Sequence, residues 1–184
     1  LLALSVILNS RLINLVFKTL FGTLHMSGGY LRFNASFIKR LPMINEFPSI
    51  LARMGRIMHI LSQLDDDRAE SGDLPKESPI FQRVGELSSF FKEMADSLVS
   101  VLYLEKTEVL SSEDYPNLIG LEISFPEFEL KYPVPYFSLK GFQYYAIEDL
   151  RSLVREIRQF SKILKENENL IREVKKIHHV LDIF

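Results

Sequence analysis

The chain has 184 residues, a formal net charge of −2 at pH 7, and 47% apolar residues. This length suits one domain, and this composition can build a core, so an intrinsically disordered chain is excluded. The absence of cysteine excludes a disulfide scaffold, a thiolate zinc site and a cysteine nucleophile, and it fits a cytoplasmic protein.

Residues 1–21 are predicted to form one helix, because their apolar positions recur at helical spacing and Gly22 follows as a stop signal. Polar residues interrupt this run, and Arg11 lies in its middle. We therefore expect a buried amphipathic helix, and neither a membrane span nor a signal peptide. Since the chain begins at Leu1, we expect it to be a fragment of a longer protein.

A turn and a short strand are predicted next. Gly28 and Gly29 allow positive φ and a close approach of the backbone. Residues 30–34 alternate as a strand, with Tyr30, Arg32 and Asn34 on one face. A short helix through Ile38 is predicted to follow, with Asn34 as its cap and Pro42 as its end.

Two long helices separated by a polar loop are predicted for residues 46–105. The first begins near Pro48 and has an apolar face from Ile50 to Leu61. The loop covers residues 65–79, and the second helix covers 80–104.

A pair of strands is predicted at 118–125 and 127–132, where apolar residues alternate on both sides of Pro126. With the strand at 30–34, this pair gives a small sheet. The predicted fold class is therefore α+β, predominantly α-helical, with a long coiled-coil-like helix at the end.

That last helix is predicted over residues 148–181 as one continuous rod of roughly 50 Å. Its heptad seam cannot be buried alone, so it needs a partner helix, either in this chain or in a second copy as a homodimer. Asn167 on the seam would fix the register of such a pair. The predicted seam positions are Leu153, Ile157, Phe160, Leu164, Asn167, Ile171, Val174, His178 and Leu181.

The charge is distributed unevenly over three predicted segments. Residues 1–45 carry five cations and no acid, residues 46–150 sum to −10, and residues 151–184 sum to +3. The basic block indicates an anionic partner at that end, although five cations can also simply face solvent. The five are Arg11, Lys18, Arg32, Lys39 and Arg40. We predict domain boundaries that divide the chain into 1–45, 46–105 and 106–184.

Catalytic motifs are missing from the sequence. It has no Gly-rich phosphate loop, no His-Glu-x-x-His and no Gly-x-Ser-x-Gly. Asp114 with Glu129-Leu130-Lys131 is similar to a metal-dependent nuclease motif, but this tripeptide is common and equally suits an exposed strand. The acidic run 65–67 is more typical of a solvated loop than of a cation site. We predict no catalytic residue, metal site or cofactor site in this chain.

Three stretches carry a family resemblance: LLALSVILNSRLINLVFKTLFG, SGGYLRFN and FIKRLPM, all within residues 1–45. Together they resemble the C-terminal specificity domain, or target recognition domain, of adenine-N6 DNA methyltransferases of restriction–modification systems, a group that includes fused restriction–methylation enzymes. DSLVSVLY at 96–103 resembles a helix that follows in that family, and agreement weakens towards residue 105. The family's second proline after Leu41-Pro42 is absent, so the exit from the motif is expected to differ. The closest matching positions are Leu8-Asn9-Ser10, Leu12-Ile13-Asn14, Phe17-Lys18, Gly28 to Asn34, and Leu41-Pro42.

The resemblance implies double-stranded DNA as the partner. It implies that the first helix packs under a small sheet, that the glycine turn approaches DNA, and that the strand presents its polar face. The family keeps this motif in members that read different sequences, which favours scaffold or phosphate contacts over base readout. The candidate DNA-binding residues are Lys18, Ser27, Gly28, Gly29, Tyr30, Arg32, Asn34, Lys39 and Arg40.

The catalytic half of such an enzyme is not in this sequence. The family holds the flipped adenine with an Asn-Pro-Pro-Tyr-like motif and binds S-adenosylmethionine at Phe-x-Gly-x-Gly, and neither occurs here. The resemblance implies a parent chain with an N-terminal methyltransferase domain that uses S-adenosylmethionine, possessing or lacking an endonuclease. Two alternatives stay open: a specificity-subunit fragment of a multi-subunit restriction enzyme, or a helical oligomerisation module that never touches DNA. The sequence upstream of Leu1 would discriminate between them.

Overall fold

The structure is a computed structural model that describes residues 2–21, 35–45, 47–71, 79–105, 109–121 and 147–182. Helices dominate these residues, and the 3₁₀ turn Ser112–Asp114 precedes the short helix α6. The helices are α1 (Leu2–Leu8), α2 (Arg11–Phe21), α3 (Ala35–Ile38), α4 (Ser49–Ser71), α5 (Pro79–Leu104), α6 (Pro116–Ile119), α7 (Ile147–Glu166) and α8 (Glu168–Leu181).

The predicted small β-sheet is wrong, because the described residues are predominantly helical and contain no strand. Leu118 and Ile119, which the alternating pattern assigned to a strand, lie in α6. Pro116 occupies the first turn of α6, where its missing N–H removes no hydrogen bond. The Glu173 carboxylate of α8 accepts the backbone N–H of Asn117 at 3.2 Å and of Leu118 at 2.8 Å. The rest of this predicted pair, 122–125 and 127–132, and the strand at 30–34 lie outside the described residues.

The predicted helix over residues 1–21 is two helices that meet at Asn9 and Ser10 at an angle of 57°. The Ser10 hydroxyl donates to the Ile7 carbonyl at 2.7 Å and accepts the Ile13 N–H at 3.3 Å, so it caps α2. The Asn9 amide donates to the Ser5 carbonyl at 2.8 Å. The polar residues that interrupt the apolar run therefore end one helix and start the next.

In the described residues, no single helix has the length and apolar content needed to cross a bilayer. Only α1 and α2 taken together reach that limit, as the bent pair described above.

The centre of the core is built by α4 and α5, whose predicted apolar faces are confirmed by burial. Leu51, Met54 and Ile57 of α4 are buried, and so are Phe91 and Met94 of α5. Helix α4 continues to Ser71, so it extends into the loop predicted at 65–79. The observed start of α5 at Pro79 is one residue before the predicted start.

Helix α1 approaches α4 closely at Gly55. A β-carbon at this position would lie 2.6 Å from the Leu2 carbonyl oxygen and 3.0 Å from the Leu2 carbonyl carbon. Such distances are shorter than any van der Waals contact between these atoms, and the obstacle is backbone, which cannot rotate away. A glycine is therefore required for α1 to lie on α4 as it does.

The predicted continuous rod over 148–181 is wrong, because it is interrupted at Asn167. The Asn167 side-chain oxygen accepts the Leu170 N–H at 3.1 Å and caps α8. Asn167 is exposed, so it does not fix the register of a seam. After the break Leu170 and Ile177 are buried in place of the predicted Ile171 and His178, while Val174 and Leu181 are buried as predicted.

The partners of α7 and α8 lie within the chain. Helix α7 packs on α4 and α5, and α8 packs on α5 and α6. The Phe91 and Phe160 rings stack with centroids 6.5 Å apart. Buried residues from all three predicted segments belong to one hydrophobic cluster, which includes Phe17, Met54 and Ile157. The boundaries between the three predicted domains stay a prediction.

Gly55→Ala and Gly85→Ala form a matched pair with opposite expected effects. The first forces α1 and α4 apart, and we expect the free energy of unfolding to fall by about 1–3 kcal/mol. The second has no atom within 4 Å of the added β-carbon, so removing glycine from a helix is expected to stabilise by about 0.5–1 kcal/mol. Urea unfolding followed by circular dichroism measures both. Equal effects of the two substitutions would contradict the close approach of Leu2 to Gly55.

Candidate nucleic-acid interface

The end of α2 and the short α3 meet at a small apolar cavity of about 40 Å³. Ile13 and Phe17 of α2 line the cavity. Ile38, the last residue of α3, and Leu41, which follows the next turn, line it as well. Leu8 and Asn14 complete the lining. The two acid-free parts of the sequence are thus brought side by side.

The turn after α3 presents two cations. Lys39 and Arg40 are exposed, and they lie between half-buried Ile38 and buried Leu41. The Lys39 N–H donates to the Ala35 carbonyl at 3.1 Å, and the Leu41 N–H donates to the Ile38 carbonyl at 3.1 Å. Apolar anchors on both sides therefore hold the backbone while the two charged side chains extend into solvent.

Lys18 extends from the last turn of α2 and is exposed. It directly follows Phe17, whose ring is buried against the same cavity. Lys18, Lys39 and Arg40 form no ion pair with another described residue. These three side chains, named here the N-terminal cations, are the part of the predicted site that the structure describes. The predicted contacts Ser27, Gly28, Gly29, Tyr30, Arg32 and Asn34 lie outside the described residues.

Arg11 belongs to the same basic block but has a different role. Its guanidinium lies 2.7 Å from the Asp182 carboxylate and 3.5 Å from the Leu181 carbonyl. It therefore joins the start of α2 to the end of α8, where a cation also complements the helix dipole. Arg11 is held by the fold, and the basic block offers fewer cations to a partner than its sequence suggests.

The Arg11 backbone has a second long-range partner, Asp96 in the middle of α5. The Asp96 carboxylate accepts the Arg11 N–H at 2.8 Å, and Asp96 is buried. Burial raises the pKa of the Asp96 carboxyl, against the lowering effects of this hydrogen bond and of the nearby Lys92, His178 and Arg11 charges. This contact joins two motif regions, because Asn9-Ser10 and Asp96 both belong to segments that carry the family resemblance.

The sequence reading missed Asp96 and a second group of exposed cations. Asp96 is a lone carboxylate within the apolar stripe of α5. This contrast in the sequence could have identified it as a buried acid with a specific partner. The second group lies on α7 and α8, where lysines and arginines recur at intervals of three and four residues. The heptad reading of those helices considered apolar positions and passed over the charged ones. These cations are Arg155, Arg158, Lys162, Lys165, Arg172, Lys175 and Lys176.

In the described parts of the chain, no three His, Asp or Glu side chains lie close enough together to hold a metal ion. Asp114 lies in the 3₁₀ turn, and its predicted companions Glu129 and Lys131 lie outside the described residues. The geometry that is present suits ionic contact with an anion.

Comparisons with protein-family models, with curated proteins and with solved structures found no match for this chain. The family resemblance therefore rests on the sequence motifs quoted above.

Asp96→Ala is expected to lower the free energy of unfolding by about 1–3 kcal/mol, because the Arg11 N–H loses its acceptor. The pKa of Asp96 is raised in the folded state. The stabilisation that results from this shift is present below the pKa of the unfolded state and is lost as the pH rises through the pKa of the folded state. The cost of Asp96→Ala should therefore be larger near about pH 3 than near about pH 7.

Urea unfolding at both pH values measures this cost. Glu93→Ala is the matched control, since it removes an exposed carboxylate one turn away on the same helix. A cost that grows with rising pH, or equal costs for both substitutions, would contradict the assigned role.

Proposed function

We propose that this chain is a DNA recognition module from a restriction–modification adenine-N6 DNA methyltransferase, and that it positions the enzyme on duplex DNA. The observation that carries the proposal is the set of N-terminal cations. They are exposed, they have no ion pair within the described residues, and two backbone segments hold them beside one cavity. They belong to a 45-residue stretch without an acid, so nothing in that stretch neutralises them.

Two of the three N-terminal cations, Lys18 and Lys39, are lysines, which suit phosphate contacts better than base readout. A lysine ammonium is a compact point charge on a flexible stem, which fits a phosphate oxygen from many directions. Base readout needs a bidentate donor held in a groove. In this proposal Lys18, Lys39 and Arg40 bind the backbone and set the register, while Tyr30, Arg32 and Asn34 have the scaffold or phosphate-contact role that the resemblance favours over base readout.

The catalytic step belongs to a different part of the proposed parent enzyme. An N-terminal domain would bind S-adenosylmethionine and the flipped adenine, and the whole enzyme would act in the cytoplasm. A specificity-subunit fragment of a multi-subunit restriction enzyme is the alternative within the same class. The oligomerisation module loses its main support, because α7 and α8 find their helical partners inside the chain.

Replacing the N-terminal cations is expected to weaken DNA binding. The variant Lys18→Gln, Lys39→Gln, Arg40→Gln should bind a duplex of about 20 base pairs at least tenfold more weakly at low salt, because each lost phosphate contact retains condensed counterions on the DNA. Fluorescence anisotropy at several salt concentrations measures the affinity. The slope of log K against log salt should become shallower by about 0.9 for each lost contact.

Lys92→Gln is the control, because Lys92 is an exposed cation on α5 that does not line the cavity. It should leave both affinity and slope unchanged. If the triple variant and wild type bind with the same salt slope, the N-terminal cations do not contact DNA.

The purified chain is expected to transfer no methyl group, because the sequence lacks the motifs for S-adenosylmethionine and for a flipped adenine. Incubation with duplex DNA and radiolabelled S-adenosylmethionine, followed by scintillation counting of the DNA, measures transfer. An intact adenine-N6 methyltransferase serves as the positive control. Label in N6-methyladenine at a level above the protein-free blank would assign the catalytic step to this chain.

A further inference from the structure

Helix α7 carries a row of cations on its solvent side. Arg155, Arg158, Lys162 and Lys165 are all exposed, and they follow one another at intervals of three, four and three residues. On a helix of 3.6 residues per turn, these positions fall within an arc of about 80°. The opposite side of α7 is buried through Leu153, Ile157 and Leu164. The row is therefore a property of one face of a helix that the core already holds.

Helix α8 repeats the arrangement. Arg172, Lys175 and Lys176 are exposed, and exposed His179 lies on the same side. They point away from the buried face, which consists of Leu170, Val174, Ile177 and Leu181. The seven lysines and arginines of the two helices are named here the C-terminal cationic face: Arg155, Arg158, Lys162, Lys165, Arg172, Lys175 and Lys176.

Few acids balance the C-terminal cationic face. Between Arg155 and Lys176 the seven cations are accompanied by four acids, which leaves a surplus of three positive charges; the acids are Glu156, Glu166, Glu168 and Glu173. Glu173 is engaged elsewhere, since its two oxygens accept N–H groups at the start of α6. None of the seven cations forms an ion pair with a described residue. The acids compensate the mutual repulsion of the cations only in part, and an anionic partner would relieve the rest.

Two of the seven cations are fixed by aromatic rings. The Lys165 ammonium lies 4.9 Å from the centroid of the Phe90 ring, and the Lys176 ammonium lies 5.2 Å from the centroid of the Tyr115 ring. Such contacts hold a long side chain in place and leave its charge available. They reduce the entropy that these two side chains would lose on binding an anion.

We infer that the C-terminal cationic face is a second phosphate-binding surface, which contacts the backbone of duplex DNA through residues distinct from the N-terminal cations. From Arg155 to Lys165 the row extends about 15 Å along α7. Duplex DNA carries one phosphate for each 1.7 Å or so of its axis, so a row of this length runs alongside several phosphates. The inference rests on the proposed function in one respect, which is the choice of DNA as the polyanion.

A lipid surface fits these helices less well than DNA does. Interfacial helices insert an apolar face among the acyl chains, whereas the apolar faces of α7 and α8 are buried in the core. Among the side chains of residues 152–182, whose exposure the structure describes, Ile163 is the large apolar one that is exposed, with 64% of its surface accessible. One such residue does not supply the apolar area that insertion requires.

The test compares two triple variants of the full chain that each remove three charges. The face variant is Arg155→Gln, Arg158→Gln, Lys162→Gln, and the matched variant is the N-terminal one described above. Gln159→Ala is a neutral control on the same exposed side of α7. A second face variant, Arg172→Gln with Lys175→Gln, tests α8 independently. Glutamine is a good helix former, so circular dichroism should show unchanged helix content.

The face variant is expected to bind the duplex about tenfold or more weakly than wild type, with a salt slope shallower by about two to three. The α8 variant is expected to change both quantities in the same direction, and Gln159→Ala is expected to change neither. If both face variants match wild type, the inference is overturned, and a loss confined to the N-terminal variant leaves the proposed function standing. A loss confined to the face variants supports the inference and removes the N-terminal cations from the proposed function.

Two further outcomes overturn the inference. The first is a wild-type chain that binds no duplex even at low salt, which removes the proposed function as well. The second is found by sedimentation with vesicles that contain phosphatidylserine. If the face variants lose binding to these vesicles and keep full affinity for DNA, the surface is one for lipid.

Discussion

A buried carboxylate must find hydrogen-bond donors, and the arrangement of this fold depends on where Asp96 finds its donor. Asp96 lies in the middle of α5, and the N–H of Arg11 reaches it at 2.8 Å across 85 residues of sequence. That N–H is one of the groups that a helix leaves unsatisfied at its start. The contact therefore fixes where α2 begins against α5. With Ser10 it accounts for the break and the 57° bend between α1 and α2.

The direction of α2 determines which of its two cations, Arg11 and Lys18, is held by the fold and which faces solvent. At its beginning, the Arg11 side chain meets Asp182 at the end of α8. Nearby, a ring nitrogen of His178 lies 3.1 Å from the Glu93 carbonyl, which brings α8 onto α5 as well. At its end, Lys18 emerges beside the cavity that the α3 turn closes. The start of α2 thus joins Arg11 to α8, while its end exposes Lys18 to solvent.

The sequence predicted the parts of the fold that depend on neighbours close along the chain. The apolar stripes of α4 and α5 were predictable because helical periodicity and burial report the same face. The strand at Leu118 and Ile119 was a wrong prediction, because its alternation is also compatible with a helix once Pro116 and Glu173 are in place. The deciding partner is 55 residues away from Leu118, and no local pattern shows it. The seam at Asn167 failed for the opposite reason, since a purely local cap ended the heptad.

The acids and the cations of the described helices have different contacts. Asp96 and Glu173 accept backbone N–H groups at the starts of α2 and α6, where the positive end of each helix dipole also favours them. Both carboxylates keep their charge, but neither forms an ion pair with a lysine or arginine of the two cationic groups. The N-terminal cations and the C-terminal cationic face therefore stay positive in a chain whose net charge is −2. Net charge is a sum over the whole chain, whereas a phosphate responds to charges within about 10 Å at moderate salt. A chain that is acidic overall can for this reason present surfaces that attract a polyanion.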